Sequence, residues 1–215
     1  MNDAERASVS QRRLVLATRN EHKVGELRDI LADALAQVQM DLVSVADFPE
    51  AGEVVESGVT FAANALLKAR AAVHVTGCPA LADDSGLAVD VLGGSPGVFS
   101  ARWAGAATDK DGANNELLLA QLADVPDEHR AAGFVCAAAL VLPDGTEIVR
   151  EGTVRGMLTR APIGEGGFGY DPLLMLPDGR TLAQYTPAQK HAISHRGAAF
   201  RALAVDLVQT LSPAG

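Results

Sequence analysis

Residues 14–38 read LVLATRNEHKVGELRDILADALAQV, and this stretch decides the fold class. Leu14-Val15-Leu16-Ala17 is a short apolar run ending in Thr18-Arg19-Asn20, the composition of a buried strand entering a turn. Val24, Leu27, Leu31, Ala34, Leu35 and Val38 then recur at helical spacing, which predicts one helix. Strand, loop, helix is the opening of an α/β unit.

Working outward, Leu42–Val45 is a second strand candidate. Residues 46–59 read as a loop, with Pro49, Gly52 and Gly58 among Asp47, Glu50, Glu53 and Glu56. Phe61, Ala65, Leu66, Ala69, Ala72 and Val73 mark a second helix with Thr60 as its N-cap. Pro79–Ala82 reads as a short strand with Asp83-Asp84-Ser85-Gly86 at its carboxyl end. A constrained glycine-rich loop around Pro96 and a helix over 111–123 follow. Residues 133–142 and 146–158 have strand composition, and Pro143-Asp144-Gly145 between them predicts a hairpin. Gly164–Pro172 is a glycine-rich loop, 173–176 one more strand, and Phe200, Leu203, Ala204, Leu207, Val208 and Leu211 a final amphipathic helix. With no internal repeat and no linker, residues 12–212 read as a single domain behind a disordered tail at 1–11.

The 215 residues are 48% hydrophobic and 21% charged, ordinary for a folded globular chain able to bury a core without disulfides or structural metal. Lysine and arginine number 18 against 27 acidic residues, a net charge of −9. That argues against duplex nucleic acid or an anionic membrane as the main partner. It leaves room for a small anion held by a local cluster of cations. Cys78 and Cys136 form no CxxC pair. The first ten residues carry no apolar signal core, and no run approaches the ~18 apolar residues of a membrane span, so a cytoplasmic location is expected.

Four segments can carry chemistry. Thr18–Lys23 opens the first helix, where backbone N–H groups and Lys23 attract phosphate, although the glycines of a Walker loop are missing. A capped helix start with an exposed lysine explains the same pattern equally well. Adjacent Asp83 and Asp84 face opposite sides of a strand, so one carboxylate can face a site and hold Mg²⁺ while the other anchors a loop. Read alone, that quartet is an ordinary turn. Gly166–Asp171 sets Phe168 and Tyr170, faces on which a base could stack, into backbone with little steric bulk. Lys190–Arg196 concentrates cations, while Ser194 has the place of an N-cap and a His–Arg pair there is often only solvated surface.

Taken in order, LATRNEHKVGEL, TFAANALLKA, ADDSGLAVDVLGGSPGVFSARWAG, GEGGFGYDPL and AQKHAISHRGAA resemble the inosine triphosphate pyrophosphatase family. They span residues 14 to about 200. The resemblance implies a mixed, twisted α/β sheet with flanking helices and two lobes around a nucleotide-binding cleft. It implies hydrolysis of ITP, dITP and XTP to the monophosphate and pyrophosphate, clearing deaminated purines from the nucleotide pool, with Mg²⁺ as cofactor and a homodimer as the assembly.

Carried over by position, Thr18, Arg19, Asn20, Glu21, His22 and Lys23 grip the triphosphate. Asp84 is the metal-linked carboxylate and general base, and Ser85 touches substrate. Phe168, Gly169, Tyr170 and Asp171 shape the nucleoside pocket, which Lys190, His195 and Arg196 complete. Lys190 and Arg196 can only donate, which suits a 6-keto purine and disfavours adenine; Arg196 is expected to read the keto edge. For the second metal carboxylate, Glu56 is preferred over Glu50 and Glu53. The chain departs from the family pattern at Arg19, where glycine is usual, at Ala63 in place of glutamate, and at Leu174 in place of phenylalanine. Two other readings compete. A phosphatase with an aspartyl nucleophile would need a motif that the first strand lacks. A non-enzymatic nucleotide sensor would have no use for Asp84.

Overall fold

The computed structural model describes residues 12–212; the disordered tail expected at 1–11 lies outside the described residues. Six strands form one sheet in the order β2-β1-β3-β4-β5-β6. These are β1 (Arg12–Leu16), β2 (Met40–Ser44), β3 (Ala80–Val89), β4 (Ala131–Val141), β5 (Glu147–Leu158) and β6 (Leu174–Met175). β1 runs parallel to β2 and β3, and every pairing from β3 onward is antiparallel. The expected mixed sheet is therefore present, and Pro143-Asp144-Gly145 makes the expected hairpin turn, with the Gly145 N–H donating to the Leu142 carbonyl.

Helices cover the sheet because alternate strand residues point to opposite faces. Cys136, Ala138 and Leu140 of β4 join a core with α1 (Glu21–Ile30), α2 (Ala32–Val38) and α6 (His195–Leu211). Ala137, Ala139 and Val141 face the other way, onto Ala65 and Ala69 of α3 (Phe61–Thr76). The far ends of β3 and β4 carry a separate core. There Leu87, Val89 and Phe134 pack with Leu118 of α4 (Lys110–Gln121), with Leu122 just past its end, and with Tyr170 and Leu173. The clusters on the two faces of the sheet make one lobe and the far-end core makes the other, with a cleft between them. The short α5 (Pro187–Ile193) leads into α6.

Two expectations need correction. The single helix over 24–38 is two helices meeting at buried Leu31, whose φ of −97° and ψ of 3° interrupt the regular backbone. The bend keeps every periodic apolar residue on the core. The Asp83–Gly86 quartet lies mid-strand rather than at a strand's carboxyl end. β3 continues to Val89 because all of it pairs with β4, from Ala80 opposite Val141 to Val89 opposite Ala132. Aspartates have poor strand propensity, and here ion pairs on both faces override it.

Candidate active site

Mid-strand placement sends the two aspartates to opposite faces of β3. Asp83 is 5% exposed and faces α1 and α6. Lys23 Nζ lies 3.3 Å from both of its oxygens, Arg196 Nε donates to Oδ2 at 3.1 Å, and Ser85 Oγ donates to it at 3.2 Å. Burial alone would raise its pKa, but Lys23 and Arg196 outweigh that and hold the carboxyl far below the usual range. Asp83 is therefore a permanent anion anchoring two cations, not a loop anchor.

Asp84 faces α3. Asn64 Nδ2 donates to its Oδ2 at 3.0 Å, and Lys68 Nζ lies 3.6 Å from its Oδ1. The same ammonium donates to Glu56 Oε1 at 2.6 Å. Burial raises the Asp84 pKa, and the neighbouring Glu56 and Asp83 charges add to it against Lys68 and the Asn64 hydrogen bond. A polarised, partly buried carboxylate with a raised pKa is the description of a general base. Neither Asn64 nor Lys68 stood out in the sequence, although their i, i+4 spacing in TFAANALLKA puts both on one helix face.

The loop 46–60 is tied down at three points. The Arg19 guanidinium donates to the Ala51 carbonyl, Glu56 meets Lys68, and the Gly58 N–H donates to Asn64 Oδ1 at 2.8 Å. Glu56 is the acidic side chain of this loop that reaches Lys68; Glu50 and Glu53 are exposed. Asp84 and Glu56 thus share one cation position with hard oxygen donors. That set fits a divalent cation which takes its remaining ligands from water and phosphate. Among the described residues no cluster of three His, Cys, Asp or Glu side chains offers an all-protein metal cage.

Thr18–Lys23 covers the turn that leaves β1 and the first residues of α1. Asn20 Oδ1 accepts from the Lys23 N–H at 3.3 Å, capping α1, and the Thr18 carbonyl accepts from Ser44 Oγ at 2.8 Å. Glu21 is exposed on the first turn, and the side chain of His22 lies outside the described part of the structure.

From the second lobe comes Phe168, a residue that is 63% exposed. Lys190 Nζ sits 4.4 Å from its ring centroid and is ion-paired with buried Asp171. Asp171 Oδ2 also accepts from the Phe168 N–H at 2.9 Å. Gly167 makes this fold-back possible, since a Cβ there would lie 2.1 Å from that oxygen. The Gly169 peptide is gripped from α4, where Asp111 accepts its N–H at 2.7 Å and Asn115 donates to its carbonyl at 3.0 Å. Those two α4 residues carried no signal in the sequence. Tyr170 does not share the exposure of Phe168. Its ring is buried in the second core and its hydroxyl donates to the Ser100 carbonyl at 2.9 Å.

The His–Arg pair is not solvated surface. His195 is buried and stacks on Phe134 at 5.0 Å between centroids. Burial, with Arg196 and Lys190 nearby, pushes its pKa down to about 3, so the imidazole is neutral. Arg196 is 6% exposed and also faces Glu26, its Nη1 3.4 Å from Oε2. Ser194 caps α6 as expected, accepting from the Gly197 N–H.

These groups line two spaces that share a wall. A cavity of about 330 Å³ between the lobes is walled by Asp84, Ser85, Phe168, Lys190, His195 and Arg196. A trough of about 490 Å³ runs between Thr18–Arg19 and Ala51–Val54. Lys23, Glu56, Lys68 and Asp83 line both. The structure thus gathers the β1–α1 turn, the aspartates, the glycine loop and the α6 start around one cleft. The sequence profile of the Ham1 family matches residues 14–205.

The chain belongs to the Ham1 family. A dITP/XTP pyrophosphatase of Streptomyces coelicolor is 62% identical over 193 residues, 89% of this chain and 94% of that one. The crystal structure of a dITP/XTP pyrophosphatase from Mycobacterium abscessus is 51% identical, with a TM-score of 0.76 over 90% of this chain and 96% of that one. The Ham1 protein of Staphylococcus aureus is 37% identical, with a TM-score of 0.82 over 91% and 98%. Within this Ham1 chain, Leu174 is fully buried in the second core and Ala63 contributes its backbone N–H to the Thr60 cap, while Arg19 reaches across the trough.

Proposed function

We propose that this Ham1 protein cleaves the α–β phosphoanhydride of deaminated-purine nucleoside triphosphates, ITP, dITP and XTP, giving the monophosphate and pyrophosphate. The observation that carries it is the wall of Lys23, Glu56, Lys68 and Asp83 shared by a cavity that Asp84 and an exposed aromatic face line and a trough edged by cations. A nucleoside placed against Phe168 brings its phosphate chain past Asp84 into the trough.

Asp84 takes the proton of the attacking water; its raised pKa suits that task and Asn64 fixes its orientation. Lys68 and Lys23 offset charge that develops on the phosphate oxygens. Asp84 and Glu56 would hold Mg²⁺, which supplies Lewis-acid polarisation of the phosphoryl oxygens when bound. Lys190 and Arg196 keep N–H groups that can meet a 6-keto oxygen and cannot accept from the amino group of adenine. Ser85 stands beside Asp83 on the cavity side, and the stacked, neutral His195 closes the floor. A homodimer and a cytoplasmic location belong to the same reading. Half-exposed Phe99, under the Arg102 guanidinium, is the apolar surface offered to a second copy.

The test is a nucleotide panel with Mg²⁺ that scores pyrophosphate against orthophosphate. ITP, dITP and XTP are expected to give pyrophosphate, with ATP at least ~10²-fold slower in kcat/KM. IDP and orthophosphate as products would refute the assignment.

A further inference from the structure

Phe168 stands on a loop whose own backbone does little to hold it. Gly167 and Gly169 on either side have positive φ, 76° and 60°, and glycine is the residue with most freedom to leave such a conformation. Phe168 is itself mostly exposed, so core packing does not hold it in place. Hydrogen bonds on both sides do. Its N–H donates to Asp171 Oδ2 at 2.9 Å, and both polar groups of Gly169 are taken by α4. Asp111 Oδ2 accepts the Gly169 N–H at 2.7 Å and Asn115 Nδ2 donates to the Gly169 carbonyl at 3.0 Å, from positions i and i+4 on one helix face. Asn114 fixes α4 at this point, since it accepts from the Ala104 N–H and donates to the Ser100 carbonyl that also receives the Tyr170 hydroxyl. Asn115 is buried, yet its Oδ1 has no hydrogen-bond partner among the described residues. A buried unpaired oxygen costs stability, and an apolar side chain of similar size would avoid that cost. The bond across to Gly169 is therefore what a polar side chain does at this position.

We infer that Asp111 and Asn115 are positioning residues for the nucleoside: by holding both polar groups of one peptide they fix Phe168, and α4 thereby sets the affinity of the cleft for the base. Their role deepens the nucleoside site proposed above and rests on it. Neither residue lines the trough, and Asn115 does not line the cavity either, so it acts through the loop alone. Without the grip from α4 the aromatic face is still present, but binding has to order it first, which weakens the nucleoside end and leaves the phosphate end as it was.

Product inhibition separates the two ends of the cleft. Steady-state ITP hydrolysis is measured with IMP or pyrophosphate as inhibitor, and thermal unfolding alongside, for the native chain, Asn115→Leu, Asp111→Ala and Asp111→Asn. Asn115→Leu is expected to keep or raise Tm and yet to raise the IMP inhibition constant roughly 3- to 10-fold, the effect of one net hydrogen bond, with the pyrophosphate constant within about twofold. Asp111→Ala is expected to weaken IMP in the same way. Asp111→Asn keeps an oxygen that can accept from the Gly169 N–H, so its IMP constant is expected to stay within about twofold of native. In a Phe168→Ala background there is no ring left to fix, and adding Asn115→Leu is expected to change the IMP constant no further. Equal weakening of both inhibitors, an unchanged IMP constant in Asn115→Leu and Asp111→Ala, or an Asn115→Leu effect that persists without Phe168 would overturn the role of α4 while leaving the pyrophosphatase reading intact. A native chain that hydrolyses no ITP would remove both.

Discussion

Asp83 and Asp84 are neighbours in sequence with opposite assignments, and substitution by asparagine separates them. Asp84→Asn keeps the shape and the Asn64 contact but not the base, so kcat for ITP is expected to fall at least ~10²-fold with little change in thermal stability. In Asp83→Asn the cations Lys23 and Arg196 lose a buried partner, so stability is expected to fall by about 3–5 kcal/mol. Calorimetry and ITP turnover on both variants check this, and a stable, active Asp83→Asn protein would contradict the anchoring role. On the proposed role Asp84 works deprotonated, so turnover is expected to fall once the medium is acidic enough to protonate it. At this scale the sequence showed which residue types meet, because Asp-Asp, the glycine–aromatic loop and Ser-His-Arg each carry a pattern. It was silent on Asn64, Lys68, Glu26, Asp111 and Asn115, which act through long-range contacts that no local spacing encodes. Nor could composition tell buried Tyr170 from exposed Phe168, two residues away on the same loop.

Strand β5 and helix α6 approach each other through Gly152. A Cβ there would lie 2.2 Å from the His195 carbonyl oxygen and 2.5 Å from the Ala199 N–H nitrogen, backbone atoms that cannot swing aside. Gly152→Ala is therefore expected to cost about 1–3 kcal/mol and to shift the first turn of α6, which carries His195 and Arg196 into the cavity. Differential scanning calorimetry should show Tm lower by about 2–12 °C, and ITP turnover should fall with it. A variant with native Tm would mean that this contact yields freely. Elements with strong local signals were legible from the sequence. Thr60 caps α3, Ser194 caps α6, and the Pro-Asp-Gly turn joins β4 to β5. The length of β3 was not, because its aspartates argue locally for a turn and only pairing with β4 keeps the strand going. The break at Leu31 was hidden for a related reason, since the apolar period runs through it unbroken.

The whole molecule carries a net charge of −9, yet three of its four lysines, Lys23, Lys68 and Lys190, line the cleft. Lysines are thus concentrated where the two lobes meet, the place proposed for an anionic substrate, and they are balanced there by buried carboxylates. This places the molecule's acid sensitivity in the cleft as well. His195 has a folded pKa near 3 against about 6.5 in an unfolded chain, so between those values the unfolded state binds a proton that the folded state refuses. Stability from this group is complete above pH ~6.5 and declines as pH falls toward 3, by at most ~1.4 kcal/mol per unit. Asp83 works the same way lower down. Its folded pKa is depressed, so its stabilising charge is present above the unfolded ~3.9 and is lost only as the medium becomes more acidic. Acid unfolding should therefore begin well above the carboxylate range. Chemical denaturation from pH 8 to pH 4 measures it, and His195→Gln isolates the cause. The variant is expected to be less stable at pH 8, having lost the stack on Phe134, but to lose less on acidification. Parallel stability–pH curves for the two proteins would show that His195 does not control the upper window.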